Sequence, residues 1–371
     1  MLKRKIAILI VTILAAAGSA RAVEPPYILV DLDSGAVLAE RQSGELWYPA
    51  SLTKLMTVYL VFEALAEGRL ELNSPVVISE NATAAQPSRM GFPSGTIITV
   101  ENALKILIVK SANDVAVAVA EMMGASESGF VADMNQTAID LGMTGTRFIN
   151  PHGLPGGGQY SNARDMALLA RTIWTRFPQF RDLFAIPEIR FGSTIMPAGN
   201  SLLEFYPGSN GMKTGYICAA GFNVAATVTR GQRSFLAVVL GAETPTHRAT
   251  TTAFLFDAGF ETSANIAGPL LSAYRPVSGV TAPVNLRSTM CPPDAGGNED
   301  GPDQRDLLIA AFGEPAPLPP PVAVFTGGAD PTARLLVFIP HPRQRPTDIL
   351  GVPATPATAG IPLPRPRPRT F

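Results

Sequence analysis

Hydrophobic and polar positions alternate in two short segments near the beginning of the chain. Tyr27–Asp31 and Val37–Arg41 have the two-residue period of a β-strand, and residues 33–35 between them have the composition of a tight turn. These segments predict an antiparallel hairpin. The mostly apolar run Leu52–Leu65 follows, and its length predicts a buried helix.

Segments farther along the chain repeat their apolar residues with the 3.6-residue period of a helix, and strand-like segments follow them. The order is two strands, a helical block, three strands and a final helix. This order predicts an α+β fold, in which strands from both chain ends pair in one antiparallel sheet flanked by helices with a helical subdomain. The predicted helices span residues 104–109, 115–123, 131–141, 163–177 and 248–259, and two later strands span residues 223–230 and 234–242.

The N-terminal segment 1–22 has the pattern of a secretory signal peptide. Residues 3–5 are basic, Ile6–Ala17 is an apolar run, and residues 20–22 are a small-x-small cleavage sequence. Cleavage after Ala22 would leave a soluble protein in the periplasm or another extracytoplasmic compartment. The alternative is an uncleaved N-terminal anchor.

Proline content rises sharply from about residue 264. Of the 34 prolines, 21 lie beyond position 263, and proline is excluded from helix interiors and central strands. We therefore predict a signal peptide at 1–22, a main domain at 23–263 and a proline-rich region at 264–371. The proline-rich region is expected to be largely disordered or linker-like, with ordered islands at 307–312 and 335–339.

Charge and cysteine content exclude several classes of function. A net charge of −1 gives no reason to expect a nucleic-acid partner. The three histidines are scattered and two cysteines cannot complete a tetrahedral zinc site, so we predict no metal and no other cofactor. In an exported chain Cys218 and Cys291 can form one disulfide, the alternative being free thiols.

A serine and a lysine lie three residues apart at the start of the Leu52–Leu65 run. In a helix, Ser51 and Lys54 would share one face, so that a neutral lysine could activate the serine as a nucleophile. Lysine is scarce, since only six of the 29 basic residues are lysine. The alternative is an ordinary helix start, with Ser51 as N-cap and Lys54 in solvent.

Two further short motifs follow in the chain. Ser111 and Asn113 flank one residue at a junction between predicted helices, where both could face a cleft or Asn113 could simply cap a helix. Lys213 and Thr214 on a strand edge could hold a carboxylate, and Gly215 would let a ligand approach the backbone closely. The alternative is a strand with exposed polar residues.

The combination Ser-x-x-Lys, Ser-x-Asn and Lys-Thr-Gly, in this order, occurs in class A β-lactamases and penicillin-binding proteins. With the residues around it, the chain resembles the serine D-alanyl-D-alanine carboxypeptidases, the low-molecular-mass penicillin-binding proteins. The resemblance covers roughly residues 27–260 and implies the β-lactamase/transpeptidase-like fold. It is carried by residues 33–35, 50–57, 111–114, 148–154, 211–215, 220–221 and 238–241.

The resemblance implies a role for each motif residue. Ser51 is the nucleophile, Lys54 its base, and Ser111 the group that passes a proton to the leaving amine. The remaining positions bind substrate: Asn113 binds the peptide carbonyl, Lys213, Thr214 and Gly215 hold the terminal carboxylate, and the backbone N–H groups of Ser51 and Tyr216 form the oxyanion hole. His152 is expected to be structural.

These roles imply removal of the terminal D-alanine from peptidoglycan stem pentapeptides, with β-lactams as inhibitors. A DD-endopeptidase that cuts cross-links is the closest alternative. A β-lactamase fits less well, because residues 150–165 contain no glutamate. A non-catalytic binding protein would be expected to have a damaged motif, and none is damaged.

The last third of the chain departs from the family. We find no compact second domain there, and the C-terminal segment 352–371 has no amphipathic stripe, so no membrane anchor is predicted. The Pro/Arg-rich end could serve as a partner-binding arm. A Cys218–Cys291 disulfide would fasten the start of this region near the active-site edge.

Overall fold

The computed structural model describes residues 24–262, 268–292 and 304–328. The predicted signal peptide and the predicted strand at 335–339 lie outside these ranges. The strands are β1 (Tyr27–Asp31), β2 (Val37–Arg41), β3 (Pro75–Val77), β4 (Ile97–Thr99), β5 (Glu188–Phe191), β6 (Thr194–Pro197), β7 (Ser209–Ile217), β8 (Gly221–Arg230), β9 (Arg233–Ala242) and β10 (Val322–Ala323). The helices are α1 (Lys54–Ala66), α2 (Glu80–Thr83), α3 (Val100–Val109), α4 (Asn113–Gly124), α5 (Glu127–Asp140), α6 (Ala163–Arg176), α7 (Leu202–Phe205), α8 (Pro245–Glu261), α9 (Arg287–Met290) and α10 (Gln304–Phe312).

The N-terminal hairpin has the predicted boundaries. β1 and β2 pair antiparallel, and Gly35 in the turn has a φ of 75°, a left-handed conformation that suits glycine. β1 also pairs antiparallel with β9, joining Tyr27 to Val239. The five-stranded sheet has the order β2-β1-β9-β8-β7 and is antiparallel throughout. The predicted α+β fold class is confirmed.

The sheet separates two apolar cores because alternate residues of each strand face opposite sides. Ile28 and Val30 face the core that contains α1 and α6. Leu29 faces the core that contains α8. The helices thus cover both faces of the sheet, and β7 remains at its edge.

The helical subdomain is built around α1, whose residues from Lys54 to Ala64 are all buried. A short 3₁₀ helix, Ala50–Thr53, leads directly into α1. α3, α4 and α5 pack around it, and the small β3–β4 sheet forms the adjoining lobe. The carboxylate of Asp114 accepts hydrogen bonds from the backbone N–H groups of Met90 and Gly91, which fixes the intervening loop against α4.

The described part of the proline-rich region is mostly irregular, and it packs on the rest of the protein. Its helix α10 includes the predicted island at 307–312 and contributes Leu308 to the core under α8. Farther on, β10 adds a parallel strand to β5. The proposed division into domains at residue 263 stays a prediction.

A disulfide joins Cys218, which directly follows β7, to Cys291. It fastens the proline-rich region beside the edge strand. None of the helices in the described residues could span a bilayer by itself. Taken together, α4 and α5 have the length and the apolar composition of a span, but the two helices meet at a bend of 83°. Within the same residues no group of three or more His, Cys, Asp or Glu side chains is placed to hold a metal ion.

We expect replacement of both cysteines by serine to destabilise the protein. The bridge joins positions separated by 73 in the sequence, and the loop entropy that it removes from the unfolded chain corresponds to about 4 kcal/mol. Urea unfolding of the Cys218→Ser/Cys291→Ser protein should show this loss in the free energy of unfolding. Equal stability, together with two free thiols in non-reducing peptide mapping of the unaltered protein, would contradict the pairing.

Candidate active site

The 3₁₀ helix and the first turn of α1 bring Ser51 and Lys54 together. The distance from Lys54 Nζ to Ser51 Oγ is 3.2 Å. Ser51 makes no capping hydrogen bond, and Lys54 is fully buried. The reading of this stretch as an ordinary helix start with a solvated lysine is therefore wrong.

Two oxygen atoms fix the amine of Lys54. Asn113 Oδ1 and the backbone oxygen of His152 each lie 2.7 Å from Lys54 Nζ. Both oxygens are acceptors, so in a neutral amine they take up both N–H groups. The nitrogen lone pair then points to the remaining neighbour, Ser51 Oγ, which is the arrangement that proton transfer from the serine requires.

Burial also favours the neutral form of this amine. Desolvation, followed by the positive charge of Lys213, holds the pKa of Lys54 well below its usual value, and the carboxylate of Asp114 opposes this shift. Arginine could not serve here because it does not deprotonate in proteins. The local electrostatics thus suit Lys54 as a general base.

The Pro151–His152–Gly153 loop is held against the start of α1. Thr57 donates to the backbone oxygen of Pro151, and Gly153 approaches Ala50 so closely that a Cβ would lie 1.8 Å from the Ala50 oxygen. Burial, with the charge of Lys54, lowers the pKa of His152 to about 3. A neutral imidazole on a fixed loop supports the structural role predicted for His152.

The junction between α3 and α4 supplies the second motif. Ser111 has a φ of 61°, an uncommon left-handed conformation for a residue other than glycine. Its Oγ is buried and has no hydrogen-bond partner among the described residues. Asn113 does not cap α4, since its Nδ2 donates to the backbone oxygen of Gln86 and its Oδ1 contacts Lys54. The alternative role of Asn113 as a helix cap is therefore wrong.

The edge strand β7 supplies the third motif. Lys213 is buried, and its Nζ donates to the backbone oxygen of Thr214 at 2.9 Å. At Gly215 a Cβ would lie 2.8 Å from the backbone nitrogen of Ser51. Only glycine therefore lets β7 pass this close to the nucleophile candidate. The adjoining Tyr216 stacks on Phe222, with ring centroids 4.2 Å apart.

Arg248 on α8 joins this group, although the sequence analysis did not select it. It is buried, donates to the backbone oxygen of Gly199 at 2.7 Å and lines the same cavity as Lys213. Burial and then the charge of Arg248 lower the pKa of Lys213 to about 7. The sequence contained one indication of this role. Arg248 lies in the first turn of α8, where a cation opposes the helix dipole and therefore needs another reason to be present.

Residues from all three motifs and Arg248 line one cavity of about 630 Å³. Lys54 lies beneath it, bonded to Ser51, while Cys218 and Cys291 lie beyond Tyr216, whose hydroxyl is 3.4 Å from Cys291 Sγ. A volume of this size suits a peptide-sized ligand. The predicted site residues that line the cavity are Ser51, Ser111, Asn113, Lys213, Thr214, Gly215 and Tyr216.

Residues 16–244 match the model of the peptidase family described as D-alanyl-D-alanine carboxypeptidase. The chain belongs to this family. The resemblance deduced from the motifs is thereby confirmed, and the family match ends before α8 and the proline-rich region.

Individual proteins of known type match a similar share of the chain. The D-alanyl-D-alanine carboxypeptidase DacF of Bacillus subtilis is 36% identical over 237 residues, which are 63% of this chain and 61% of DacF. Penicillin-binding protein 5 of Haemophilus influenzae has a TM-score of 0.61 at 34% identity, covering 63% of this chain and 70% of that one. Penicillin-binding protein D2 of Listeria monocytogenes, solved in a cefotaxime-bound form, has a TM-score of 0.58 at 26% identity over 64% of this chain and 96% of its own. The chain spans about 60% of the length of the curated relatives DacF of Bacillus subtilis, DacC of Escherichia coli and DacA of Haemophilus influenzae.

Proposed function

We propose that this protein is a serine-type D-alanyl-D-alanine carboxypeptidase that removes the terminal D-alanine from peptidoglycan stem pentapeptides. The observation that carries the proposal is the Ser51–Lys54 pair, in which two fixed oxygens direct the lysine lone pair to the serine. Membership of the family and the cavity around the pair support it.

In the first step, Ser51 Oγ attacks the carbonyl carbon of the penultimate D-alanine while Lys54 takes up the hydroxyl proton. The backbone N–H groups of Ser51 and Tyr216 bind the developing oxyanion. Gly215 keeps these two backbone segments close together. The second Nδ2 hydrogen of Asn113, which Gln86 does not use, is available for a substrate carbonyl.

In the second step, the peptide C–N bond breaks and the leaving nitrogen takes up a proton. Ser111 Oγ, which lacks a partner in the described structure, relays the proton from Lys54 to that nitrogen. Lys213 and Thr214, with Gly215, hold the terminal carboxylate. Water then hydrolyses the acyl-enzyme, which regenerates Ser51 and releases the shortened stem peptide.

β-Lactams are the inhibitors expected for this site. They present a strained amide and a carboxylate in the arrangement of D-alanyl-D-alanine, so that the same serine would be acylated. The Listeria protein, whose fold is similar, was solved with cefotaxime bound. Slow loss of the acyl group would then block the site.

The proposed substrate supports a location outside the cytoplasm, and we propose a soluble periplasmic or extracytoplasmic enzyme of cell-wall biogenesis and cell shape. The signal peptide at 1–22 supports this location, and it lies outside the described residues. The Pro/Arg-rich end, proposed as a partner-binding arm, lies outside them too.

Digestion of purified muropeptides tests the proposed reaction. We expect free D-alanine to be released from pentapeptide monomers. Conversion of cross-linked dimers to monomers without release of D-alanine would identify a DD-endopeptidase instead. Steady turnover of nitrocefin, in place of slow stoichiometric acylation, would identify a β-lactamase.

The pKa of Lys213 predicts how acylation depends on pH. Lys213 in the free protein is charged below about pH 7 and loses its charge as the pH rises through this value. The second-order rate of acylation by a penicillin reports the free enzyme. This rate should therefore fall as the pH rises above about 7, because the carboxylate on the penicillin ring then lacks the positive charge of Lys213.

A Lys213→Arg substitution should remove this alkaline decrease, because arginine stays charged. The comparison is made on the shape of the profile between about pH 5 and 9, since the larger side chain can lower the rate at every pH. The control is Lys105→Arg, which should leave the pH profile unaltered. Lys105 lies on α3, pairs with Glu101 and does not line the cavity. An unchanged alkaline decrease in Lys213→Arg would refute the assignment.

A further inference from the structure

One helix of the proline-rich region reaches the active-site cavity. Arg305 and Leu308 of α10 are among the residues that line it. The sequence predicted an ordered island at residues 307–312, but it did not predict that this island contacts the cavity. The family match ends at residue 244, so α10 lies outside the part of the chain that the family model describes.

Several contacts fix α10 in this position. Leu308 is buried in the core under α8, and Gln304 accepts a hydrogen bond from Thr246 at 3.0 Å. The ring of Phe312 lies 6.3 Å from that of Phe205 on α7. The helix therefore forms a fixed side of the cavity.

Arg305 also makes an ion pair across the cavity rim. Its Nη1 lies 2.7 Å from Oε1 of Glu204, which is on α7 and lines the cavity as well. The Arg305 side chain is 53% exposed, so solvent screens the pair and its contribution to stability is small. The pair instead holds two long side chains against each other in the cavity lining, where they occupy space.

Contacts through Gly199 and α8 connect the proposed carboxylate clamp to this part of the cavity lining. Thr214 Oγ1 is close to Gly199, where a Cβ would lie 2.9 Å from it, and Arg248 contacts Gly199 from the other side. Arg305, Glu204 and Leu308 line the same cavity, and the Thr246–Gln304 hydrogen bond joins their helix α10 to α8, the helix of Arg248. A side chain on the residue that leaves, whose carboxylate is held at the clamp, would extend into this space.

We propose that the α7–α10 gate, defined as Glu204, Arg305 and Leu308, limits the size of the leaving residue's side chain. The gate admits the methyl group of D-alanine and disfavours longer side chains, including that of the leaving residue in a cross-linked stem. The proposal rests on the carboxypeptidase function proposed above. It assigns a substrate-selecting role to the proline-rich region.

The test uses the full chain and two peptides that differ only in the leaving residue, D-alanine or D-norleucine. We expect wild type to prefer D-alanine. Arg305→Ala should raise the norleucine-to-alanine ratio of kcat/KM by about tenfold, the lower end of the range by which enzymes distinguish substrates that differ in one methylene group. Glu204→Ala should raise the same ratio. The increase in the double variant should be smaller than the product of the two single increases, because both substitutions break the same ion pair.

Asp306→Ala, exposed on the same helix, is the matched control and should leave the ratio unchanged. Rates are divided by the fraction of protein that fluorescent penicillin labels, so that misfolded material does not affect the comparison. If wild type is labelled and active but Arg305→Ala and Glu204→Ala both keep the wild-type ratio, the gate alone is refuted. A wild type that is neither labelled nor able to release D-alanine refutes the proposed function, and the gate with it.

Discussion

Replacement of Ser51 by alanine is expected to abolish covalent labelling by fluorescent penicillin. Alanine has no oxygen with which to form the acyl-enzyme. Release of D-alanine from a pentapeptide should fall by about 10⁶-fold, the scale seen when a catalytic serine is removed from a hydrolase. Gel fluorescence measures the labelling, and an assay for free D-alanine measures the hydrolysis.

The control for this experiment is Ser128→Ala, a serine exposed on α5. It should label and hydrolyse as wild type does. Both variants should melt near the wild-type temperature, because Ser51 makes no capping bond whose loss would destabilise α1. Labelling that persists in Ser51→Ala would show that the nucleophile is a different residue.

Replacement of Lys54 by arginine is expected to lower the acylation rate by about 10²- to 10⁴-fold, the range associated with general-base catalysis. Arginine keeps the positive charge and the hydrogen-bond donors, but it has no lone pair for the Ser51 proton. Lys54→Met, similar in length and uncharged, should lose the same step. Stopped-flow measurement of penicillin acylation gives the rate.

Two measurements separate loss of the base from loss of the fold. Lys54 is fully buried, so its replacement could disturb the fold. Circular dichroism of Lys54→Arg and Lys54→Met should show the wild-type helix content. Lys105→Arg should acylate at the wild-type rate. Near-normal acylation by a folded Lys54→Arg protein would exclude Lys54 as the base.

Local patterns were sufficient to predict most of the sheet and helices. The β1–β2 hairpin has the predicted ends, because two-residue alternation and turn composition are determined by neighbouring residues. The Leu52–Leu65 run was similarly informative, since an uninterrupted apolar segment has to be buried. The edge position of Lys213 also agreed with the strand pattern, as β7 pairs on one side only within the described sheet.

Features that depend on distant contacts could not be predicted in this way. Asn113 is a residue type that often caps helices, but its side-chain amide forms hydrogen bonds with Lys54 and Gln86 instead. Arg248 is buried and donates to the backbone oxygen of Gly199, which is distant in sequence. The position of α10 likewise depends on a hydrophobic surface that α7 and α8 form together, and no periodicity within residues 304–312 specifies that surface.

The pairing of β1 with β9 determines when the fold can be completed. The central strand of the sheet, β9, comes late in the chain. Tyr27 at the beginning of β1 pairs with Val239, so this pairing can form only after Val239 has been synthesised. During synthesis from the N-terminus, β1 therefore has only one of its two neighbouring strands. Pairing between such distant segments is slow. The five-stranded sheet therefore cannot be complete until β9 has been synthesised, and its formation has to follow the synthesis of about two thirds of the chain.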